Sequence, residues 1–409
     1  MKFRVSKNDK VLKGAIQLPG SKSITARVFI IKALCQEDFN ITNYSQSEDS
    51  LTLFNLINSA EPVLDCKDGG TTLRFLTAFL AIHEGDVVLT GSERMKQRPI
   101  GPLVDALRQL GADIEYQEKE GYPPLLVHGR MLQGNKIEID ASMSSQFVSA
   151  LLLIAPMLPQ GLIVKMSSDI ASKSYIELTL HVMRHFGIQH DWTQTVISIP
   201  PQHYEARDYK IESDWSAASY YYAMAALSDE VDLKLYGLNK LSFQGDNNIA
   251  RVMEKFGVQT HYIDGGARLT KNESSIKNLE YDFKNCPDIA QTVLFTCAAL
   301  NIPAKVLGLT NLKIKETDRV NALKTELSRL GVTLKEIGFT WHLSVNLNLN
   351  LLHDLEFETY NDHRMAMAAT PLAISHKSIT INNPQVVRKS YPQFWEDIQQ
   401  LGFSVEETI

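Results

Sequence analysis

The chain has 409 residues, 44% of them hydrophobic and 22% charged, with a formal net charge of −6. That length exceeds one ordinary hydrophobic core and predicts two or three domains, and the acidic balance excludes the broad basic footprint of a nucleic-acid-binding protein. Any bound anion must therefore be met by locally placed cations. Met1 is followed by Lys2, Phe3, Arg4 and polar residues, without the apolar run of a secretory signal, so a cytoplasmic protein is expected. "LPGSKSITARVFIIKAL" (18–34) and "KDGGTTLRFLTAFLA" (67–81) each read as a polar or glycine-rich start followed by an apolar helix. "FVSALLLIAPMLPQGLIV", from Phe147, is interrupted by Pro156 and Pro159 and predicts a buried helix, a turn and a strand rather than a membrane span. "YKIESDWSAASYYYAMAAL" (209–227) marks the join between two halves, with Asp214 or Ser213 as the N-cap of the following helix. Cys35, Cys66, Cys286 and Cys297 lack a C-x-x-C spacing and read as reduced thiols.

A repeat is visible in the helix ends. Amphipathic segments stop at Gly111, Gly187, Gly257, Gly331 and Gly402, each before a strand-like run, in steps of 76, 70, 74 and 71 residues. Glycine suits the left-handed C-terminal cap of a helix because it carries no side chain to clash. The spacing predicts an α/β protein of six helix–glycine–strand units, three to each half. The first unit ends near residues 53–62 and is expected to be truncated, having lost a strand or hairpin.

Four helix starts carry an arginine in or near the first turn: residues 18–34 and 67–81, "KIKETDRVNALKTEL" (313–327) and "YNDHRMAMAATPLAI" (360–374). Free N–H groups and the positive helix end make such a start an anion site. Taken singly, each is equally a capped helix with a solvated arginine. Arg98 and Lys389 stand on further loops, and a ligand with several negative charges accounts for so many separate cations. Ser144, Ser145 and Gln146 open one helix and Ser172 and Tyr175 another, offering hydroxyls and an amide. Asp288 and Glu316 are acid–base candidates; Asp288 also reads as an N-cap and Glu316 as an exposed pair with Lys315. His363 in "NDHR" is open in the same way. "GSKS" lacks the spacing of a Walker A loop, and His181 and His185 lack the glutamate of H-E-x-x-H, so no metal is expected.

"LPGSKSITAR", "DGGTTLRF", "RMKQRPIGPLVDALRQLGA", "SSQFVSALL", "SKSYIELTL", "KETDRVNALKTEL" and "YNDHRMAMA" stand in the order found in the EPSP synthase family of enolpyruvyl transferases, which the chain resembles from about residue 12 to 400. The resemblance implies an inside-out α/β barrel of two domains, 20–212 and 1–19 with 213–409, each of three βαβαββ repeats, with the active site in the cleft between them. It implies transfer of the enolpyruvyl group of phosphoenolpyruvate to the 5-hydroxyl of shikimate 3-phosphate by a monomer, without metal or cofactor, nucleic acid or membrane partner. Carried over by motif, Lys22, Ser23, Arg27, Ser144, Ser145, Gln146, Ser172, Tyr175, Asp288, Asn311 and Lys315 would hold shikimate 3-phosphate. Lys22, Gly70, Arg98, Gln146, Arg319, Arg364 and Lys389 would hold phosphoenolpyruvate. Asp288 would be the base toward the hydroxyl, with Lys22, Glu316, Lys315 and His363 as further catalytic candidates.

The chain departs from the usual family pattern at Ala26, Asp68, Gly69, Phe75, Ser174 and Ser390. Asp68 and Phe75 lead us to expect weaker inhibition by the substrate mimic glyphosate. Two alternatives remain: the sister transferase acting on UDP-N-acetylglucosamine, whose loop cysteine is missing from "GSERMKQRPI", and a non-catalytic anion-binding relative.

Overall fold

The computed structural model describes residues 1–167, 170–345 and 355–408. The chain forms two compact units, one of residues 1–20 and 212–409 and the other of 21–211. Each is described by itself.

In the unit 21–211, strand Val63–Asp65 leads through helix Gly70–Ala81 to the parallel strand Gly85–Thr90, then through helix Gly101–Gln109 to the hairpin Asp113–Tyr116 and Leu125–Gly129. The next repeat copies this order: strand Lys136–Ile139, helix Ser145–Ile154, strand Leu162–Met166, helix Lys173–His185, then hairpin Asp191–Thr193 and Val196–Ile199. The remaining repeat pairs only Tyr209–Lys210 with Ile41–Thr42, and its helix Glu48–Ile57 runs on to Val63 without a hairpin. This is the loss that the short first spacing predicts.

The other unit holds three full βαβαββ sheets. Val11–Gln17 pairs in parallel with Glu230–Tyr236, and the hairpin Val258–Ile263 and Gly266–Lys271 completes that sheet. Leu279–Asp282, Ala304–Leu307, Val332–Ile337 and Thr340–Val345 build the second. In the third, Leu355–Phe357 and Ile379–Asn382 are joined by Ser404–Thr408 and by the chain's first strand, Lys2–Ser6, which takes the place of the second hairpin strand.

Burial separates two kinds of helix. The first helix of each repeat is largely buried, and these helices pack on one another: Trp215–Leu227 and Ala290–Ala299 leave only Ser216 and Ala299 outside their buried sets. The second helices are more amphipathic; Gly101–Gln109 buries Leu103, Val104, Ala106 and Leu107 and turns its charges outward. Most of the candidate site residues lie at or near the N-terminal ends of helices.

All five repeat glycines have left-handed backbones, with φ from 72° at Gly331 to 96° at Gly111. Gly257 is the most constrained by its neighbour, because a Cβ there would lie 2.2 Å from the Asn272 carbonyl oxygen. Gly257→Ala should cost about 2 kcal/mol or more through the left-handed backbone and that clash. A chemical denaturation midpoint equivalent to less than about 0.5 kcal/mol would contradict this, since shifts of that size are ordinary for neutral surface changes.

Candidate active site

In the unit 21–211, helix Lys22–Leu34 brings Lys22 to 2.8 Å from Asp49 at the start of Glu48–Ile57. Thr72 reaches the Asp49 carbonyl at 3.3 Å, and Gln146 donates to Thr71 Oγ1 at 3.2 Å. These bonds draw the starts of four helices to one place. A fifth participant is Arg98, whose guanidinium lies against Gly70: a Cβ on Gly70 would meet its nitrogens at 2.6 Å. A buried cation beside the positive end of a helix favours an anion there, and the missing side chain of Gly70 leaves room for it.

Arg27 is 3% exposed and donates to Thr179 Oγ1, Ser149 Oγ and the carbonyls of Ser23 and Tyr175. Burial pushes its pKa down to about 10, so it remains charged at neutral pH. Among the described residues no carboxylate is one of the groups that set its charge, which suits it to balance an incoming anion. Ser144 caps helix Ser145–Ile154 by accepting from the Gln146 amide at 3.2 Å, while Ser145 is buried. Ser172 holds a left-handed backbone, φ 51°, directly before Lys173–His185, and Tyr175 lies in its first turn. Ser23 occupies the first turn of Lys22–Leu34.

Arg74, by contrast, turns inward. It donates to the carbonyls of Gly70 and Pro99, at 3.2 and 2.8 Å, and braces the loop that carries Arg98. Asp68 accepts from Ser92 Oγ. Phe75 is 1% exposed, with the Arg27 guanidinium 5.4 Å from its ring, so it is a packing residue of the helix interior.

In the unit 1–20 and 212–409, one carboxylate sits among three cations. Asp288 lies 3.0 Å from both Arg319 and Arg364 and 3.8 Å from Lys315. Its turn, Pro287–Ile289, leads into Ala290–Ala299 without a side-chain cap bond, so Asp288 is an ion-pair partner and not the N-cap. Burial alone would raise its pKa, but Arg364, Lys315 and Arg319 outweigh this and hold the carboxyl well below the usual range. Glu316 is no exposed pair with Lys315: it accepts from Arg319 at 2.6 Å and is 14% exposed.

Arg319, 1% exposed, is further bound to Asp362 at 2.7 Å. Burial would lower its pKa, yet Asp362, Glu316 and Asp288 together raise it. Asp362 also caps helix His363–Ala369 through the Arg364 amide at 2.8 Å, which fixes where Arg364 emerges. His363 is buried beside Asp362, at 4.0 Å. Lys389 donates to the Asn361 carbonyl at 2.8 Å, on the left-handed pair Tyr360 and Asn361, φ 53° and 57°. Asn311 lies in the short turn Thr310–Ile314 that ends at Lys315.

Sequence reading passed over Asp362 and Asp49. Asp362 carries the weak signal of an aspartate before a helix. Asp49 lies 27 residues from Lys22 and carries none. Among the described residues, Asp113, Glu115 and His128 alone group metal-type donors, but Asp113 is paired with Arg130 and His128 with Asp86 at 2.6 Å, so they read as cross-strand ion pairs. No helix among the described residues is long and apolar enough to cross a membrane.

The chain matches the family described as EPSP synthase (3-phosphoshikimate 1-carboxyvinyltransferase) over residues 6–59 and 55–398. The match breaks where the first repeat lacks its hairpin. A Bacteroides fragilis protein named 3-phosphoshikimate 1-carboxyvinyltransferase is 45% identical over 396 residues, covering 97% of each chain. One of the same name from Colwellia psychrerythraea is 36% identical over 420 residues, covering 96% of this chain and 97% of that protein. The solved EPSP synthase of Acinetobacter baumannii shares the fold, with a TM-score of 0.79 at 20% identity over 99% of this chain and 100% of that one. By the extent of the family match and by these identities, the chain belongs to the EPSP synthase family.

Proposed function

We propose that the protein transfers the enolpyruvyl group of phosphoenolpyruvate to the 5-hydroxyl of shikimate 3-phosphate, releasing phosphate, as a cytoplasmic monomer. The observation that carries this reading is Asp288, an ionised carboxylate held among Arg319, Arg364 and Lys315 at the start of a buried helix. Family membership supports it.

Asp288 accepts the hydroxyl proton as the oxygen attacks C2 of phosphoenolpyruvate, and an acid places a proton on C3. Elimination then removes a proton from the new methyl group as phosphate leaves. Lys22, Lys315 and Glu316 are the candidates for the carbon proton, with His363 behind them. The three cations that keep Asp288 ionised also weaken it as a base. When substrate anions engage Arg364, Lys315 and Arg319, the field on Asp288 falls and its proton affinity rises, so substrate arrival itself arms the base. Arg27 with Ser144, Ser145, Gln146, Ser172 and Tyr175 suits the phosphate and ring hydroxyls of shikimate 3-phosphate, as Ser23 and Asn311 do. Arg98, Gly70 and Lys389 complete the set for phosphoenolpyruvate.

Phosphate release that requires both substrates is the test. Release with UDP-N-acetylglucosamine instead would favour the sister reaction, and none with either would sink the reading. Glu316→Gln should lower turnover about 100-fold or more, within the span of general acid–base effects, with KM for shikimate 3-phosphate little changed; a rise in KM alone would move Glu316 to a binding role. Asp68→Asn should strengthen glyphosate inhibition, because it removes a carboxylate beside the glycine-rich start. Phe75 is left in place, since proline inside Gly70–Ala81 would cost a helix hydrogen bond and about 3 kcal/mol.

A further inference from the structure

A second carboxyl lies behind the Asp288 cluster. Asp246, in the turn Gly245–Asn248, is 2% exposed. Its Oδ2 accepts from Ser216 Oγ, and its Oδ1 has no hydrogen-bond partner among the described residues. The turn is braced by Asn247 on the Ser242 carbonyl and Asn248 on the Gly245 carbonyl, at 2.9 and 2.8 Å, so the carboxyl is held rigidly.

Two elements pack against its turn. The start of Trp215–Leu227 contributes Ser216 and the capping Asp214, and the turn at Pro287–Ile289 contributes Asp288, with Cys286 beside it; Arg364, on helix His363–Ala369 and 3.0 Å from Asp288, acts on it through its charge. Burial first, and then the Asp288 charge, push the Asp246 carboxyl up to about 7, against the pull of Arg364. The Cys286 thiol, pushed up to about 12 by burial, stays neutral throughout.

We propose that Asp246 is a positioning residue that tunes the anion affinity of Arg364: as the neutral acid it leaves the guanidinium to the substrate, and as the carboxylate it competes for it. This rests on the role given to Arg364 in phosphoenolpyruvate binding. The consequence is a substrate affinity that falls as pH rises through neutrality, from a residue that touches no substrate. Asp288, already held ionised, does not titrate there.

Phosphoenolpyruvate binding, measured by calorimetry from pH 6 to 8.5, tests this in wild type and Asp246→Asn. The ligand's own ionisation is common to both and cancels in their ratio. The two proteins should bind alike at pH 6, and the variant should bind about fivefold or more tighter at pH 8.5, the low end of linked-site couplings. A ratio constant across the range would overturn the proposal. Ser216→Ala provides an independent arm: losing the hydroxyl that donates to the carboxylate should move the midpoint of the wild-type affinity change to higher pH, and an unmoved midpoint would also overturn it. Binding is separate from turnover, so this pH pattern without any turnover would refute the proposed reaction alone.

Discussion

Asp288→Asn should lower turnover at least about 1,000-fold while the protein still folds. Loss of a general base accounts for roughly 100- to 10,000-fold, and asparagine also leaves Arg319, Arg364 and Lys315 without the charge they surround. Those cations should then hold substrate anions at least as tightly as before, so KM for phosphoenolpyruvate should stay level or fall while kcat collapses. That split is what a binding residue would not show. A loss below about tenfold, measured as phosphate release with both substrates saturating, would remove Asp288 from the chemistry.

Arg319→Met should be the most destabilising single change at the site. It leaves Asp362, Glu316 and Asp288 crowded together in a buried place with their shared cation gone. Breaking a buried ion pair from one side costs about 3–5 kcal/mol, or roughly 10 °C in the melting transition of a unit this size. The sign of its pH dependence follows from the carboxylates. Without Arg319 the crowded carboxylates repel one another, so the deficit is largest at neutral pH, where they are charged, and shrinks on acidification as they take up protons. Thermal unfolding at pH 7 and pH 5 reads both; a melting temperature within about 2 °C of wild type at pH 7 would show that the three acids find other partners.

These two residues also show how far sequence reading reaches. "KETDR" and "PDIAQ" mark Arg319, Glu316 and Asp288 as candidates, because charged residues before apolar runs stand out. What they do to one another is invisible there: Asp288 to Arg364 spans 76 positions, and Asp362 to Arg319 spans 43. Glu316 reads as an exposed neighbour of Lys315 and is instead a partly buried partner of Arg319. Arg74 resembles the other helix-start arginines in sequence, yet it lies a full turn inside its helix, where it is buried, and its side chain braces the Pro99 loop.

Local rules determined the repeat. A glycine that ends a helix and a polar residue that begins one act within a few residues, so the five glycine caps, the six-unit count, the α/β class and the shortened first unit could all be read from the chain alone. The tertiary structure decided the closure of the last sheet by Lys2–Ser6, the pairing of Lys22 with Asp49, and the convergence of three carboxylates on Arg319. Asp246 belongs with these. In sequence it is one more acid in a polar turn, and only burial beside Asp288, against the pull of Arg364, raises its affinity for a proton. Electrostatics at such a site depends on distance through space and on the loss of water, and neither quantity is carried by position along the chain.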